Sequence, residues 1–579
     1  MTDYHQQGGG LAMRHISLNV STAMALLLFS SKAYVQDTPF SDKHSDKKTK
    51  TVYNQHINDS PNIDNTDPNK KIHINKVVIK SNNIFDTSKP DTFFIHRWAN
   101  YLHINTRDWI IRKNLNFNEN SEVTLKQLQE APRLLRAEPY LRDAKVTLSP
   151  QDPSVNDTEK GQSVLVETWD NWSLLPTADF GSSGGNTSTS VGIKEDNLLG
   201  LGIKTQFKYS SDIDRTGYKF EVETPVYFLR HATLTTSFYD NDDGQATEIF
   251  FNNPFYSLET KQMYSAQYID DLLTDTLRQN GEEVNEFKQQ INYYELQYGW
   301  LLHKDDTELS RFIIGGTKDK NDFTHTDDYP DSQLPKNRDF LYPWIGYEYI
   351  QDDYKVLNDI YLINKNEDFN LGWYHYAQFG IETTDLGDNL PVGFHLEWLS
   401  SRGYEQNDHL YLLNFSGYSD LATSQKDYFQ LNATGEHFYH INPKFTLYNK
   451  LRLSTSQNHY YDEPFALGDS TGLRGYPDNY QWGNNQWLIT NELRYYPNIN
   501  LYQLAELGWA AFTDIGQAFG GDDENNEVSG PIGVFGIGAR VYSSKSSFGN
   551  VAHIDLTFPF TRGEDVNAVE VRFLVKSHF

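Results

Sequence analysis

Two short motifs in the C-terminal part of the chain supply a cation and an anion that can pair. Gly472-Leu-Arg-Gly-Tyr476 lies in a polar, glycine-containing connection, and Phe512-Thr-Asp-Ile-Gly516 lies in a segment that alternates like a strand. Arg474 offers a forked guanidinium, and a partly dehydrated environment would strengthen its pairing with the carboxylate of Asp514. The order of the motifs, with one predicted hairpin between them, predicts that these two side chains meet.

The neighbours of this pair have supporting roles in the same prediction. Gly475 would let the connection turn tightly beside the guanidinium, and Tyr476 is expected to pack against the ring of Phe512. Phe512 and Gly516 share the strand parity of Asp514, so all three are expected on one face. The alternative is that the first motif is an ordinary turn and that Asp514 is an ordinary wall residue.

Signals for covalent or metal chemistry are weak. Gly181-Ser-Ser-Gly-Gly185 fits the nucleophile-elbow pattern, but an elbow needs a helix after it, and residues 186–193 resemble a Thr/Ser-rich strand. The chain has no cysteine, and its 18 histidines form no H-E-x-x-H arrangement. We therefore predict no catalytic residue, no metal site and no cofactor.

The elements that must position the Arg–Asp pair are predicted to be barrel strands. From Thr177 onward, alternating segments such as residues 445–453 and 552–560 are separated by clusters of Asn, Asp, Gly and Ser. Apolar residues on one parity and charged residues on the other indicate a wet face opposite a lipid-facing or core face. At about 25 residues per strand and connection, residues 173–579 predict a transmembrane antiparallel β-barrel of about 16 strands. A soluble β-sandwich is the alternative.

Composition narrows the class of protein. Asp and Glu number 78 against 50 Lys and Arg, a net charge of -28 that argues against a nucleic-acid partner. The aromatic content of 14% excludes bulk disorder, and no apolar run approaches the about 18 residues of a membrane-spanning helix. Residues 171–579 carry 29 basic and 58 acidic side chains, whereas residues 72–170 carry 13 of each. The acidity therefore belongs to the predicted barrel.

The last strand is expected to carry an insertion signal. Val569, Val571, Phe573 and Val575 share one parity, charged residues occupy the other, and Phe579 is the final residue. An amphipathic last strand with a terminal aromatic resembles the signal by which outer-membrane barrels are recognised for insertion. Phe579, Val575 and Phe573 are its expected elements.

A small α/β domain is predicted before the barrel, over residues 72–172. The hydrophobic periodicity indicates a β-α-α-β-β order, with elements at residues 72–79, 94–102, 125–135, 146–148 and 164–166. Thr124 is a suitable N-cap for the second helix, and Pro132 is expected to kink or shorten that helix.

The N-terminal segment predicts export. Residues 1–33 have the pattern of a secretory signal peptide, with Met13 as an alternative start, an apolar stretch at residues 23–29 and small residues before a cleavage after Ala33. An ordinary buried helix is the alternative. Residues 34–71 are polar and lack apolar periodicity, so they are predicted to be a disordered linker.

Several stretches resemble the BamA/TamA superfamily of outer-membrane assembly and translocation proteins, the bacterial surface antigen family. The stretches that look like its last polypeptide-transport-associated (POTRA) domain are residues 106–112, 128–136, 139–146 and 170–176. The motif around Arg474 looks like the (V/L)RG(F/Y) motif of the superfamily's long sixth extracellular loop, which folds back into the lumen. The motif around Asp514 resembles its F-x-D-x-G strand motif. The chain departs from well-known members in having room for only one POTRA domain.

The resemblance implies an outer-membrane protein of a Gram-negative bacterium that inserts or translocates polypeptides, with its POTRA domain in the periplasm. The implied partners are outer-membrane lipids and an unfolded or extended client polypeptide that adds a strand to the POTRA sheet. A periplasmic accessory protein is an open alternative as a further partner. Two other functions also stay open. One is a passive or solute-selective pore, for which a peptide-binding domain has no use. The other is a lipid-handling barrel of the same superfamily.

Overall fold

The computed structural model describes residues 70–85, 87–88, 92–148, 162–183, 186–383, 392–502, 504–521, 523–543, 545 and 551–576. The expected signal peptide, nearly all of the expected linker and the C-terminal Phe579 lie outside these residues. The described chain forms a small α/β unit followed by a large antiparallel barrel. Among its helices, none has both the length and the apolar character needed to cross a membrane.

The described part of the α/β unit contains four strands and three helices. Their bounds are β1 (Lys71–Asn82), α1 (Phe94–Leu102), α2 (Asp108–Lys113), β2 (Ser121–Thr124), α3 (Leu125–Arg136), β3 (Leu141–Leu148) and β4 (Gln162–Asp170). The sheet order is β2-β1-β4-β3, in which β1 and β4 are parallel and the other pairs antiparallel. All five predicted elements are present, and the short α2 and β2 are additional.

Helix α3 begins at the predicted cap. The Thr124 hydroxyl accepts the Gln127 N–H at 3.2 Å, and the Gln127 side chain accepts the Thr124 N–H at 2.9 Å, which forms a capping box. Pro132 lies inside the helix without ending it, contrary to the expected shortening. The apolar face of α3 packs into the core of the unit through Leu128, Ala131 and Leu135. This burial offsets the backbone hydrogen bond that proline removes.

The barrel is closed and antiparallel. Its strands are β5 (Leu174–Ser183), β6 (Asn186–Leu198), β7 (Ile203–Ser211), β8 (Thr216–Pro225), β9 (Thr233–Asn241), β10 (Gly244–Asn253), β11 (Gln262–Gln279), β12 (Glu282–Lys304), β13 (Glu308–Thr324), β14 (Arg338–Gln351), β17 (Tyr374–Ile381), β18 (Phe394–Gln406), β19 (His409–Leu421), β20 (Tyr428–Asn442), β21 (Phe445–Gln457), β24 (Asn485–Tyr495), β25 (Asn500–Leu501), β26 (Ala505–Phe519), β27 (Ile532–Ser543), β28 (Val551–Pro559) and β29 (Glu570–Lys576). Two hairpins lie outside this ring: β15 (Tyr354–Asn358) with β16 (Asn366–Asn370), and β22 (Ala466–Leu467) with β23 (Gln481–Trp482).

The fold class is as expected, but the strands outnumber the predicted 16 or so. The described ring has 20 long strands and the two-residue β25. Several connections are shorter than the estimate assumed: residues 242–243, 280–281, 407–408 and 443–444 each join two consecutive strands with a two-residue turn. Asn280 and Asn407 have φ angles of 60° and 54°, the left-handed conformation that tight two-residue hairpins require.

Alternation along each strand separates a lumen face from an outer face. In β26, Ala510, Phe512 and Asp514 are buried, whereas Trp509 is 49% exposed on the outside. Large apolar side chains are exposed on the outer face of other strands, among them Leu296, Leu453, Ile537 and Val571. An outward apolar belt around a closed barrel is a lipid-facing surface, and it makes this a transmembrane barrel.

The α/β unit contacts one end of the barrel, here termed the proximal rim; the opposite end is the distal rim. The Arg107 N–H donates to the carbonyl of Gly200 in the β6–β7 turn at 3.0 Å. Arg230 in the β8–β9 turn donates to the carbonyl of Phe117 at 2.8 Å, and Tyr256 in the β10–β11 connection donates to another carbonyl of the unit. These bonds join turns of the barrel to the α/β backbone.

Candidate functional site: two segments inside the lumen

The connection between β21 and β24, residues 458–484, enters the lumen from the distal rim and is here termed the distal loop. Leu473, Tyr476 and Tyr480 of this loop are fully buried against Leu488, Ile532 and other wall residues. The loop therefore folds back into the barrel, as the resemblance implied. It is the eighth distal connection instead of the sixth, because the barrel has more strands than expected.

The predicted pair of Arg474 and Asp514 is present. The guanidinium donates through Nε to Asp514 Oδ2 at 2.6 Å and through Nη2 to Asp514 Oδ1 at 2.8 Å, so the contact is bidentate. Its remaining Nη1 donates to Glu492 Oε1 at 2.7 Å. Burial alone would lower the pKa of Arg474, but the carboxylates of Asp514 and Glu492 raise it, so the guanidinium stays charged.

The aromatic residues of the two motifs are arranged differently from the prediction. The Arg474 guanidinium lies 3.5 Å from the centroid of the Phe512 ring, so Phe512 stacks on the cation and not on Tyr476. Tyr476 packs against Tyr480, and its hydroxyl donates to the Thr561 carbonyl at 2.5 Å. The planar guanidinium occupies the face of Phe512, which removes the space for a second ring there.

The two glycines of the motifs allow close approach. Gly475 has a φ of 77°, and a Cβ added there would lie 2.7 Å from Thr557 Oγ1 and be strained in that left-handed conformation. A Cβ added at Gly516 would lie 2.7 Å from the Trp487 carbonyl and 3.1 Å from the side chain of Leu467 in the distal loop. Both positions therefore require glycine for the loop to lie against the wall.

Two further ion pairs with the opposite polarity hold the distal loop, and the sequence did not indicate them. Asp469 of the loop accepts from Arg572 of β29 at 2.6 and 2.7 Å. Asp462 of the loop accepts from both terminal nitrogens of Arg338 at 2.6 Å each. Loop anions thus face wall cations at two places, whereas the loop cation Arg474 faces wall anions.

The ion pairs around the Arg474 motif form two buried groups, here together termed the ion-pair cluster, and each group has two cations and two anions. One group contains Arg474, Arg494, Glu492 and Asp514, and the other contains Arg540, Arg572, Asp469 and Asp555. Buried charges are costly unless each is paired and hydrogen-bonded. Balance within the cluster is notable because the barrel segment as a whole is strongly acidic. The cluster therefore fixes the loop through matched charges.

A second segment enters the lumen from the proximal rim and was missed by sequence reasoning. Residues 352–372, here termed the proximal hairpin, contain β15 and β16 and bury apolar side chains in two clusters. One cluster contains Leu357, Ile360, Phe369 and Leu371, and the other contains Leu362 and Ile363. The Glu367 carboxylate accepts the N–H groups of Ile360, Tyr361 and Leu362 at 2.9–3.2 Å. One signal was available: residues 360–363 are four consecutive apolar residues, which breaks the alternation of a barrel strand.

The proximal hairpin contacts both the wall and the α/β unit. Lys365 donates to the Tyr542 hydroxyl of β27 at 2.6 Å. On the other side, the Arg136 guanidinium of α3 lies 3.1 Å from Asp368, and Lys126 lies 2.6 Å from Asp352. The hairpin is therefore a physical link between the α/β unit and the barrel interior.

Burial shifts the pKa values of three side chains in the hairpin. It lowers the pKa of Lys365 to about 7 and raises the pKa of Glu367 to about 7, although three backbone N–H groups oppose the second shift. Burial likewise raises the pKa of Asp359 to about 7. The hairpin therefore contains three groups that titrate near neutral pH.

The other predicted site residues are placed as follows. Phe573 and Val575 pair with Ile554 and Ala552 across β28 and share the outward parity, whereas Phe579 lies outside the described residues. Gly181–Ser183 belong to β5 and pair with β6, which is the predicted hairpin and not a strand-to-helix elbow.

One group of potential metal ligands occurs among the described residues. His303, Asp305 and Glu308 bring ligand atoms within 4.8 Å of one another at the β12–β13 turn. The first two are exposed, and exposed acidic groups commonly meet without a metal. We assign no metal site to it.

Comparison with known proteins gives one family match. Residues 364–541 match the family described as Haemolysin secretion/activation protein ShlB/FhaC/HecB. No curated protein matches the chain. Similar solved structures include CdiB from Escherichia coli (11% identity, 98% of this chain and 99% of that chain covered, TM-score 0.45), CdiB from Acinetobacter baumannii (10%, 87% and 73%, 0.44) and BamA from Haemophilus ducreyi lacking POTRA domains 1–3 (12%, 87% and 84%, 0.40).

The family match covers less than half of the chain, but it contains both Arg474 and Asp514. The match supports the superfamily of outer-membrane assembly and translocation proteins that the motifs suggested. It does not support the more specific assignment to BamA or TamA within it. In the segment that carries Arg474 and Asp514, the chain is thus similar to haemolysin secretion/activation proteins.

Proposed function

We propose that this protein translocates a polypeptide across the outer membrane of a Gram-negative bacterium, with the α/β unit acting as a POTRA domain in the periplasm. The observation that carries the proposal is the occupied lumen. The distal loop and the proximal hairpin fill the barrel from opposite ends, and each is held by side-chain contacts that can break without opening the wall. The similarity of residues 364–541 to haemolysin secretion/activation proteins favours secretion.

The α/β unit offers one sheet edge for an extended client. On the β1 side of the sheet, β2 covers residues 71–74, and further along the Val77 N–H and carbonyl are bonded to the side chains of Glu119 and Arg112. Strand β3 forms the opposite edge. Since backbone groups of an edge strand can pair with an added strand, we propose β3 as the client-binding edge.

In the proposed mechanism the chain uses no chemical step. A client strand adds to β3, the α/β unit shifts, and the ion pairs from α3 to Asp352 and Asp368 carry the shift to the proximal hairpin. Withdrawal of the hairpin opens the part of the lumen next to the proximal rim. The wall there is polar and offers hydrogen bonds, which suits an unfolded chain. Arg474 and its partners keep the distal loop anchored until the client displaces it.

The test compares the exported proteins of a strain that lacks this gene with those of the same strain carrying the wild-type gene or an Arg474→Ala variant. Translocation predicts that specific polypeptides disappear from the medium and return with the wild-type gene only. A medium that is unchanged in all strains, with solute uptake reduced, would instead identify a pore. Loss of barrel proteins from the outer membrane would identify insertion.

A further inference from the structure

Helix α1 of the α/β unit exposes its apolar side and buries its small or polar side. Phe94, Trp98 and Tyr101 are 73%, 59% and 84% exposed, whereas the residues buried toward the unit are His96 and Ala99. A surface helix of a soluble domain shows the opposite arrangement, with the apolar stripe toward the core. The exposed stripe is completed by Phe93, Ile95 and Leu102.

The same unit contains a helix of the usual kind. In α3, Leu128, Ala131 and Leu135 are buried in the core, and none of the large apolar residues of the helix is exposed. The inverted arrangement is therefore particular to α1 and does not follow from the small size of the unit. An exposed contiguous apolar patch with several aromatic side chains indicates a surface that something covers.

The patch is continuous with the rim of the lipid-facing barrel. At one end, the rings of Phe93 and Tyr502 lie 5.5 Å apart, and Tyr502 is itself exposed in the β24–β26 connection. Beyond the other end, Trp109 lies 5.2 Å from Tyr227 in the β8–β9 turn, next to Phe228, which is 87% exposed. The helix thus extends the apolar belt at the proximal rim, between the β24–β26 and β8–β9 connections, on the side of the ring that contains the paired strands β29 and β5.

The charge of this segment also differs from that of the barrel. The exposed charged residue of α1 is Arg97, and the helix contains no Asp or Glu, whereas the histidines at its middle and end, His96 and His103, are buried. The barrel segment has twice as many acidic as basic residues. An aromatic helix with basic and no acidic residues is complementary to phospholipid headgroups, where aromatic side chains and cations are both favourable.

We propose that α1, with Phe93, is an interfacial helix whose exposed side lies in the headgroup region of the membrane leaflet at the proximal rim. Its occupant is phospholipid. A convex helix face at the level of the barrel rim suits a flat bilayer surface better than it suits an extended peptide, which adds to a sheet edge or enters a groove. The helix would hold the α/β unit at that side of the proximal rim. The inference is independent of what the barrel transports.

The absence of cysteine in the chain permits a direct test. Tyr101→Cys in the full-length protein carries an environment-sensitive fluorophore, and the protein is placed in nanodiscs of phosphatidylethanolamine and phosphatidylglycerol. Because Tyr101 is 84% exposed, the probe disturbs no packing. Lys145→Cys on β3 of the same unit, also exposed, is the matched control. Quenching by doxyl-labelled lipid and by aqueous iodide is measured at both positions.

The proposal predicts several-fold stronger doxyl quenching and several-fold weaker iodide quenching at position 101 than at position 145. Adding Trp98→Glu should make the doxyl and iodide quenching at position 101 similar to the quenching at position 145. Equal iodide quenching at both positions would overturn the proposal. Protection of position 101 from iodide and from doxyl lipid alike would also overturn it, since the helix would then be covered by protein.

Discussion

The distal loop and the proximal hairpin both occupy the lumen and both bury apolar side chains there, yet the polar contacts that accompany this burial differ. The distal loop is fixed by ion pairs, with Arg474 between two wall carboxylates and Asp469 and Asp462 on wall arginines. The proximal hairpin is fixed to the wall by two apolar clusters, and its own Glu367 accepts three backbone N–H groups within the hairpin. Bidentate ion pairs are directional and strong when every charge is paired, whereas apolar contacts are non-directional and allow two surfaces to slide past each other.

This difference suggests a division of labour. The proximal hairpin is bonded to the α/β unit as well as to the wall, so movement of that unit can reach it. The ion pairs of the distal loop described above lie between the loop and barrel strands. We expect the hairpin to respond to events at the proximal rim and the distal loop to release only when its charges are displaced.

Breaking the central pair should have the largest effect. Arg474→Ala leaves Asp514 and Glu492 buried without their guanidinium, and loss of one partner from a buried pair costs about 3–5 kcal/mol. We expect the distal loop of the purified protein in nanodiscs to become sensitive to added protease. The matched control is Arg311→Ala, which breaks a buried wall pair with Glu348 at 2.8 Å. It should lower the melting temperature of the barrel without exposing the loop.

A charge swap sharpens the same prediction. Arg474→Asp with Asp514→Arg should recover part of the lost protease resistance. Recovery is expected to stay incomplete, because the new aspartate would lie beside Glu492, which contacts Arg474 at 2.7 Å. Adding Glu492→Gln to the double variant should increase the recovery of protease resistance. A double variant no more resistant than the worse single variant would argue against the pairing as the source of the loop's stability.

Weakening the proximal hairpin should open the barrel without releasing the distal loop. Ile360 and Leu362 are 1% and 3% exposed, and replacing each by alanine is expected to cost about 2–5 kcal/mol. We expect more frequent open events in planar-bilayer conductance and an unchanged protease pattern of the distal loop. Val356→Ala, on the same hairpin but 56% exposed, should leave conductance as in the wild type. Unchanged conductance in the Ile360/Leu362 variant would show that the hairpin does not limit the lumen.

The hairpin should be least stable near neutral pH. Glu367 and Asp359 have pKa values raised by burial to about 7, so the penalty of burying their charged forms is relieved as pH falls below 7. Lys365 has a pKa lowered by burial to about 7, so its penalty is relieved as pH rises above 7 toward 10.5. Open events should therefore peak near pH 7. Glu367→Gln should flatten the acidic side of that profile, and a monotonic profile in the wild type would contradict the assignment.

Much of the fold could be predicted, because alternation and capping are local. The alternation of β26 placed Asp514 in the lumen, and Thr124 capped α3 as its spacing predicted. The strand number was underestimated because turn length, on which it depends, varies between two residues and more than twenty. Pro132 does not shorten α3, because tertiary packing offsets a local preference.

The candidate site was predictable only where a motif marked it. Arg474 and Asp514 stand in recognisable patterns, but Asp469 and Arg572 are 103 residues apart and lie in no shared motif. The stacking of Phe512 on the guanidinium, instead of on Tyr476, depends on the path of the loop inside the lumen. Such a path follows from the closed barrel as a whole, which no local pattern encodes.

The smallest expected effect concerns Tyr476. Its hydroxyl donates to the Thr561 carbonyl at 2.5 Å and accepts the Gly533 N–H at 3.1 Å, and burial raises its pKa to about 12, so it remains protonated. Tyr476→Phe keeps the ring and removes these bonds, at a cost of about 0.5–1.5 kcal/mol each. Protease sensitivity of the distal loop should rise far less than in Arg474→Ala. If the two variants are equally sensitive, backbone contacts hold the loop as firmly as charge does, and the contrast with the proximal hairpin is lost.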